Sequence, residues 1–420
     1  MSLYIHIPFC EVKCGYCDFF SVPRGHEDFD LQQEYTSQLI REIDARSPGF
    51  SGPVQTIFFG GGTPSLLDPR LLEKILSALN RQFRWSEQAE ITLEANPKTV
   101  SLERLRDFHS LGVNRLSIGV QSFQDKFLRV MGRIHSGEEA KKTVHEAREA
   151  GFKNMSIDLI YALPGETLQD FEIDLNQALS LETDHLSLYN LTIEQETPFE
   201  KRYRSGLWAL PNEEEQCRMF ERVDELQDFH RYEISNFSRR GFECRHNLNY
   251  WDYGEYLGFG AGAVSQRLSI LASHRRVLLA SLELRRSGPA GSPLSCVTNG
   301  LKGQTSCHPP EQGRKSTVSF MHRRQNVRDL KKYLIGQWEQ EIEAIPLETA
   351  TREFLMMGLR KSEGISLKRF SELFGQSLQE RFPDQLLSLR EGDWIEEVDG
   401  SMLKLTPKGI PLANEILARF

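Results

Sequence analysis

Three cysteines near the start of the sequence have the types and spacing of a metal centre. Cys10, Cys14 and Cys17 form a C-x3-C-x2-C run, and thiolates are soft ligands that select zinc or an iron–sulfur cluster. A closed zinc site or an ordinary [4Fe–4S] cluster takes a fourth protein ligand. The next cysteine, Cys217, lies far along the chain. The run is therefore one ligand short of a closed site.

Two kinds of metal centre fit this spacing. A structural zinc knuckle would take His6 or His26 as its fourth ligand. A [4Fe–4S] cluster held by three thiolates would instead leave one iron open to bind and activate a small molecule. Residues Leu3–Ile7 have the pattern of a strand, so the cysteines follow a strand end, where α/β barrels place their chemistry. This position favours the open cluster.

The elements that must position these cysteines alternate along the first half of the chain. Short apolar runs alternate with amphipathic helical patterns, one of which, Pro69–Phe83, begins with proline after the capping residue Asp68. Strict alternation implies a parallel sheet with right-handed crossovers. Because there are fewer units than the eight of a closed barrel, we predict an α/β fold with an open (β/α)6 partial barrel. The predicted strands are Tyr4–Ile7, Val54–Phe59, Ile91–Glu94, Arg115–Ile118, Met155–Leu159 and His185–Tyr189.

Polar or glycine-rich residues follow the predicted strands. Gly60–Thr63 follows the second strand, Glu94 ends the third, Gln121 follows the fourth, Asp158 lies near the end of the fifth, and Arg133 falls in a nearby loop. A lone glycine run is commonly a tight turn, and a lone acid at a strand end commonly caps a helix. Their recurrence on the rim that carries the cysteine loop indicates a binding site instead.

Taken in order, these motifs resemble the radical S-adenosylmethionine (SAM) proteins. The matching segments are the cysteine run, Gly60–Ser65, Leu93–Pro97, Leu116–Ser122 and Ile157–Ile160. Within these proteins, the motifs more specifically resemble the branch that contains the oxygen-independent coproporphyrinogen III dehydrogenases and the haem chaperones. It covers nearly all of the chain outside residues 266–325.

The resemblance implies two cofactors and their ligands. Cys10, Cys14 and Cys17 would hold a [4Fe–4S] cluster whose open iron chelates SAM. An electron donor would reduce the cluster, and SAM would be cleaved to a 5′-deoxyadenosyl radical; the protein would position the cofactors and exclude water. The positions that match SAM-binding residues of the family are Tyr4, Tyr16, Gly61, Gly62, Thr63, Glu94, Gln121, Arg133 and Asp158.

Three features favour the chaperone branch over the dehydrogenase branch. The dehydrogenases carry a further cysteine where this chain has Phe19, and they have an N-terminal extension before the cluster motif. The segment His246–Trp251 matches an HNxxYW motif that is linked to haem binding in the chaperones. The resemblance therefore implies haem binding by His246, Tyr250 and Trp251, although a structural histidine beside aromatic residues would have the same local pattern.

The leading interpretation is a haem chaperone that binds haem, SAM and the cluster and passes haem to respiratory haem proteins. The first alternative is a coproporphyrinogen III dehydrogenase. The second is an impaired relative, since Val264 stands where the family usually has histidine.

The sequence divides into four predicted units. These are the radical SAM partial barrel (1–205), an extension with the HNxxYW motif (206–265), a basic disordered insertion (266–325) and a helical, winged-helix-like domain (326–420). The C-terminal domain is predicted to have helices at Glu353–Leu359, Leu367–Phe374 and Leu378–Leu389 and a hairpin of Trp394–Glu397 with Met402–Leu405. Because acidic residues outnumber basic ones there, we expect this domain to pack on the barrel rather than on DNA.

The predicted insertion differs in charge from the rest of the chain. Residues 266–325 hold ten Lys and Arg against two acids, a net charge of +8. Gly, Pro and Ser are frequent in Ser287–Thr317, and such a composition does not bury enough surface to fold. Leucines within Leu268–Leu282 could form a basic amphipathic helix, which would suit peripheral contact with a membrane.

Composition excludes several classes of protein. The chain has 420 residues and a net charge of −8, which argues against nucleic-acid binding. It has no run of about eighteen apolar residues, so we expect no membrane span. The N-terminus has no pattern of a signal peptide. Seven cysteines, three of them clustered, indicate a reducing compartment, and we expect a cytoplasmic protein.

Overall fold

The computed structural model describes residues 1–23, 28–47, 52–226, 228–268 and 319–420. The strands of this part of the chain are β1 (Ser2–Ile7), β2 (Phe9–Cys10), β3 (Val22–Pro23), β4 (Val54–Gly61), β5 (Trp85–Ala95), β6 (Arg115–Gln121), β7 (Met155–Tyr161), β8 (His185–Asn190), β9 (His230–Arg231), β10 (Asn236–Ser238), β11 (Tyr256–Phe259), β12 (Val264–Leu268), β13 (Ser319–Asn326), β14 (Glu339–Pro346), β15 (Ile365–Ser366), β16 (Ile395–Val398) and β17 (Met402–Leu405).

The helices of the same part are α1 (Phe29–Arg46), α2 (Pro69–Gln82), α3 (Leu102–Ser110), α4 (Asp125–Met131), α5 (Gly137–Glu149), α6 (Leu168–Ser180), α7 (Pro198–Arg204), α8 (Glu213–Asp224), α9 (Arg245–Trp251), α10 (Leu330–Leu334), α11 (Leu347–Gly358), α12 (Leu367–Phe374), α13 (Leu378–Arg381), α14 (Pro383–Glu391) and α15 (Ala413–Leu417). Among them, none is long and apolar enough to cross a membrane.

A twelve-stranded sheet forms the centre of the molecule, with the order β14-β13-β12-β11-β1-β4-β5-β6-β7-β8-β10-β9. Strands β1 and β4 to β8 pair with one another in parallel. Helices form the connections between them. The ends of the described sheet, β14 and β9, do not pair with each other. The predicted open (β/α)6 partial barrel is therefore confirmed, and it is widened by strands on both edges.

Local sequence signals fix several of the crossover helices. Asp68 accepts a hydrogen bond from the backbone of α2, and Pro69 occupies the first turn of that helix. Ser136 and Thr167 form capping boxes with Glu139 and Asp170 at the starts of α5 and α6. These caps satisfy backbone donors that would otherwise lack partners. The helices can then bury their apolar faces against a sheet whose parallel strands are almost wholly buried.

A buried carboxylate connects α1 to the far edge of the sheet. Glu42 is fully buried and accepts hydrogen bonds from the Gly260 backbone N–H at 2.9 Å, Asn326 Nδ2 at 2.7 Å and the Tyr333 hydroxyl at 2.6 Å. It also pairs with Arg46. A buried charge is tolerated only when it is paired and hydrogen-bonded in this way. Glu42 therefore fixes the edge strands to the barrel.

The predicted insertion is too wide at both ends, and its boundaries need correction. Strands β12 and β13 pair antiparallel from Val264↔Gln325 to Leu268↔Met321, so residues 266–268 and 319–325 belong to the sheet. Two of the basic residues that suggested a solvated loop face acids on β14 instead, with Arg323 paired to Glu343 and Arg324 paired to Glu339. The central part, including the predicted amphipathic helix beyond residue 268, lies outside the described residues.

The C-terminal unit also begins later than predicted. Strands β13 and β14 complete the central sheet, and a separate apolar core starts at its edge and continues through α11 to α15. The predicted helix Leu378–Leu389 is divided in two because Pro383 starts a new helix. The predicted hairpin is formed by β16 and β17.

The C-terminal unit packs against the segment that carries the HNxxYW motif. The Tyr253 hydroxyl donates to Glu353 Oε2 at 2.6 Å, and the ring of Tyr253 lies edge-on to Phe354 of α11. Lys361 pairs with Asp252. These contacts place α11 beside α9.

Candidate functional site

A cavity of about 450 Å³ opens at the carboxyl ends of the parallel strands. We call it the cluster cavity. Its walls bring together the three cysteines and every predicted SAM-binding residue except Tyr4. The predicted residues that line it are Cys10, Cys14, Tyr16, Cys17, Gly61, Gly62, Thr63, Glu94, Gln121, Arg133 and Asp158.

The cysteine loop is held over this cavity by short-range pairing. Strand β2, which ends at Cys10, pairs with β3 and so closes the loop into a compact lobe. Cys10 Sγ accepts a hydrogen bond from Thr63 Oγ1 at 3.5 Å. Burial raises the pKa of the Cys10 thiol, and it raises that of Cys17 to about 11. Burial thus favours the neutral thiols. A positively charged metal centre would favour the thiolates instead, because cysteine ligands bind as thiolates.

The donor set fits a three-thiolate cluster better than a closed zinc site. Within residues 1–23, 28–47, 52–226, 228–268 and 319–420, no group of three or more His, Cys, Asp or Glu is arranged to hold a single metal ion. Both ring nitrogens of His6 are engaged, with Nε2 2.8 Å from the Phe20 carbonyl and Nδ1 3.1 Å from the Tyr4 hydroxyl. His26 lies outside the described residues. A fourth zinc ligand is therefore not available from His6.

Glycine is required at the end of strand β4, where the backbone passes the cysteine loop. The Gly62 N–H donates to the Ile7 carbonyl at 2.8 Å, and the Thr63 N–H donates to the Phe9 carbonyl at 2.7 Å. A Cβ atom on Gly62 would lie 2.7 Å from the Phe9 carbonyl oxygen, and Gly61 adopts a φ of +116°. The glycine run thus allows close approach of backbone to backbone. It leaves the adjoining cavity wall free of side chains.

Two carboxylates line the floor of the cluster cavity. Glu94 accepts a hydrogen bond from the Gly61 N–H at 3.2 Å, and Asp158 accepts from Ser117 and Ser156 at 2.8 and 3.0 Å. Burial, with a smaller contribution from the neighbouring Asp158 carboxylate, raises the pKa of Glu94 to about 8. Glu94 is therefore largely protonated near neutral pH and can donate as well as accept a hydrogen bond.

Arg133 places a positive charge between the cysteines and the strand ends. Its guanidinium donates to Asn96 Oδ1 at 2.6 Å, to the Gly119 carbonyl at 2.5 Å and to Cys14 Sγ at 3.6 Å. Asn96 also donates to Thr63 and lines the cavity, so it belongs to the candidate site although it was not among the predicted ligands. The sequence signal that could have identified Asn96 as a site residue is its position two residues after Glu94, at the same strand end.

Gln121 and Tyr16 complete the predicted set in the cluster cavity. Gln121 has a φ of +68° at an irregularity in the pairing of β6 with β7. This irregularity accompanies the turn at the end of β6. Tyr16 packs edge-on against Phe199, and burial raises the pKa of its hydroxyl. Tyr4 lines a different cavity, of about 300 Å³, which shares Phe19 with the cluster cavity.

The residues of the HNxxYW motif lie in two different environments. His246 is buried; its Nδ1 is 2.8 Å from Thr56 Oγ1 and its Nε2 is 2.9 Å from the Tyr250 hydroxyl. Burial lowers the pKa of its imidazole to about 3. Both nitrogens are therefore hydrogen-bonded in this conformation. Ligation of an iron by Nε2 would require only the Tyr250 hydroxyl to move away, because Nδ1 could keep its hydrogen bond to Thr56.

Tyr250 and Trp251 have a different environment from His246. Both line a second cavity, of about 570 Å³, between the central sheet and the C-terminal unit. We call it the interdomain cavity. Sequence reasoning did not predict its far wall, which comes from α11. No motif in that helix marks it as part of a site.

Comparisons with known proteins agree with the observed architecture. The Radical SAM superfamily matches residues 4–178, and the HemN C-terminal domain matches residues 345–412. The solved structure of coproporphyrinogen III oxidase (HemN) from Escherichia coli has a TM-score of 0.74 and 22% identity, covering 99% of this chain and 89% of that chain. At this identity the likeness shows a shared fold.

Two of the similar curated proteins are aligned with this chain over nearly their whole length. The heme chaperone HemW of Bacillus subtilis is 35% identical over 429 residues, which cover 100% of this chain and 98% of that protein. The heme chaperone HemW of Lactococcus lactis is 32% identical over 422 residues, with 100% and 97% covered. The chain therefore belongs to the HemW family of radical SAM proteins.

Proposed function

We propose that this protein is a radical SAM haem chaperone, which binds haem, SAM and a [4Fe–4S] cluster and delivers haem to haem proteins. The observation that carries the proposal is full-length membership of the HemW family in a chain whose three cysteines and strand-end polar residues meet in one cavity. Cys10, Cys14 and Cys17 would hold the cluster. When bound and reduced by a donor, the cluster supplies the electron that cleaves SAM.

The residues of the cluster cavity have distinct parts in this proposal. Glu94, Gln121 and Asp158 offer hydrogen-bonding groups to the polar ends of SAM, and the bare backbone of Gly61–Gly62 allows the ligand to lie against the strand. Arg133 counters the negative charge of thiolates at short range, since it already contacts Cys14. Burial of these groups excludes water from the ligand.

The proposal includes a haem site that uses His246, Tyr250 and Trp251. It also includes haem-accepting proteins and an electron donor as partners, with no role in nucleic-acid binding. A cytoplasmic location, and any peripheral contact of the basic insertion with a membrane, stay predictions.

Anaerobic reconstitution with iron and sulfide, followed by parallel assays, tests the proposed function. We expect the reconstituted protein to bind haemin, to transfer it to an apo haem protein, and to form no vinyl product from coproporphyrinogen III with SAM and a reductant. Robust vinyl-product formation would instead assign the protein to the dehydrogenase branch. Absence of haem binding by the wild type would refute the chaperone proposal.

A further inference from the structure

The side-chain amide of Asn96 is held between two residues of the cluster cavity. Its Oδ1 accepts a hydrogen bond from Arg133 at 2.6 Å, and its Nδ2 donates to Thr63 Oγ1 at 2.9 Å. A guanidinium group has donors and no acceptor, so the contact with Arg133 fixes the oxygen end of the amide. The nitrogen end must then face Thr63, whose hydroxyl oxygen is the acceptor. The direction of both hydrogen bonds is therefore determined.

Each partner of Asn96 donates in turn to a cysteine sulfur. The Thr63 hydroxyl accepts from Asn96, so its single proton is available to Cys10 Sγ, which lies 3.5 Å from Thr63 Oγ1. The Arg133 guanidinium donates to Cys14 Sγ at 3.6 Å. One amide therefore holds the donors to two of the three proposed cluster ligands.

A role as a helix cap does not account for this amide. Asn96 occupies the N-cap position of the 3₁₀ turn Pro97–Thr99, where asparagine commonly caps with its side chain, but its side chain makes no capping bond to the described residues. Pro97 restricts Asn96 to an extended backbone, with φ of −100° and ψ of 142°. The Thr99 hydroxyl donates to the Asn96 carbonyl at 2.8 Å. The backbone is thus held by the turn while the amide serves the cavity.

The amide and the guanidinium are packed closely against strand β6. Arg133 also donates to the Gly119 carbonyl at 2.5 Å, so its guanidinium lies between two acceptors. A Cβ atom on Gly119 would lie 3.0 Å from Asn96 Oδ1, and a larger residue there would push the amide away. Glycine therefore allows the close approach that orients both groups.

Hydrogen bonds to the sulfurs of an iron–sulfur cluster act on its reduction potential. The potential depends on these bonds together with net charge and solvent exposure. Reduction adds one electron, so donors at the sulfurs stabilise the reduced state more than the oxidised state and raise the potential. Residues that orient the ligands of a metal centre from behind tune it in the same way.

We propose that Asn96 is a positioning residue that raises the reduction potential of the [4Fe–4S] cluster, by holding the donors to two of its cysteine ligands. These donors belong to Thr63 and Arg133. The inference rests on the proposed function, which supplies the cluster. It gives a role to a residue that is neither a cysteine nor one of the predicted SAM-binding positions.

An anaerobic redox titration of the reconstituted cluster with dithionite, in the absence of SAM, tests this role. We expect Asn96→Leu to lower the midpoint potential by about 59 mV, a tenfold change in the equilibrium constant for one electron. Asn96→Asp should lower it further, because the carboxylate would accept the Thr63 proton and add a negative charge. Asn80→Leu and Asn80→Asp, at an exposed position of α2, are the matched controls and should keep the wild-type potential.

Variants of Thr63 keep the proposal testable if Asn96→Leu takes up the cluster poorly. Thr63→Val removes one donor and should change the same equilibrium constant about threefold, whereas Thr63→Ser keeps the hydroxyl and should keep the wild-type potential. Iron and sulfide contents are measured for every variant.

Two results would overturn the proposal. A wild-type cluster with the same potential in Thr63→Val and in every Asn96 variant that takes up the cluster would remove this role from Asn96 and leave the proposed function intact. Failure of the wild type to form a [4Fe–4S] cluster would overturn both.

Discussion

The cluster cavity and the interdomain cavity both contain Tyr189 in their walls, but they are built in different ways. The cluster cavity is formed by backbone turns and charged side chains at strand ends, all from the first half of the chain. The interdomain cavity combines aromatic and thioether side chains from α9, β11 and α11. The first offers fixed donors to a polar cofactor, whereas the second offers two apolar faces to a flat ligand.

Tyr189 shows how closely the two cavities approach each other. Tyr189 is 41% accessible and lies in the walls of both cavities. Changing the residues of one cavity and measuring ligand binding in the other tests whether the two cavities act independently.

Removal of a cluster ligand should have the largest effect and should separate the two cavities. We expect Cys14→Ser to lose nearly all cluster iron after anaerobic reconstitution, because a cluster with one open iron has no spare ligand. Haemin affinity should stay within about twofold, since none of the three cysteines lines the interdomain cavity and changes without shared partners act additively. Iron and sulfide analysis beside haemin titration measures both, and the exposed Cys217→Ser is the control. Stoichiometric zinc that iron reconstitution does not displace would contradict this prediction.

The pH dependence of stability should report the buried acid of the cluster cavity. The pKa of Glu94 is raised from an ordinary value of 4.5 to about 8, so between these values the folded state retains a proton that the unfolded state releases. Stability must then fall as pH rises through this window, by up to about 1.4 kcal/mol per pH unit. Without SAM, Glu94→Gln should remove this part of the slope in thermal unfolding measured at several pH values. Parallel profiles for both proteins would show that Glu94 does not titrate there.

Replacement of the motif histidine should lower both stability and haem affinity. His246→Ala removes two buried hydrogen bonds and leaves Thr56 and Tyr250 without their shared partner, which we expect to cost about 1–3 kcal/mol. Haemin affinity should also fall, because the imidazole is one of the proposed haem-binding groups. Thermal unfolding and haemin titration, with the exposed His145→Ala as control, measure the two effects. Unchanged haemin affinity in a folded His246→Ala protein would remove this residue from the haem site.

The smallest effect should come from the segment between β12 and β13. Replacing residues 269–318 with a Gly-Asn-Gly linker should change the free energy of unfolding by no more than about 1 kcal/mol, because the cost of closing a loop varies slowly with its length. The walls of both cavities, as far as the structure describes them, come from outside this segment. Haem and iron contents should therefore be unchanged. A large loss of stability would show that the segment packs on the fold.

The cluster cavity could be predicted from the sequence because its parts are local. Each of its polar residues follows its own strand, and the carboxyl ends of parallel strands meet at one rim, so Glu94 and Asp158 converge without knowledge of tertiary contacts. The interdomain cavity could not be predicted in this way. From the sequence alone, Met356 and Met357 have the pattern of ordinary core residues of a helix. Only the packing of α11 against α9 places them in the wall of a cavity.

Other contacts between residues far apart in the sequence could not be predicted for the same reason. The hydrogen bond between His246 and Thr56 connects α9 to β4, and no local pattern around the motif indicates it. The width of the basic insertion was overestimated because the acids that balance Arg323 and Arg324 lie on β14. A solvated loop and a charged edge strand can have the same local composition. Only the strand that pairs with the segment distinguishes the two.

The buried Glu42 has a consequence for the order in which the chain acquires its structure. Its partners at Gly260, Asn326 and Tyr333 lie 218 to 291 positions further along the chain. Contacts of such high sequence separation form slowly, because the entropy of closing a long loop must be overcome first. During synthesis, α1 emerges long before the residues that satisfy its carboxylate. Final closure of the barrel edge is therefore expected only after the ribosome has delivered most of the chain.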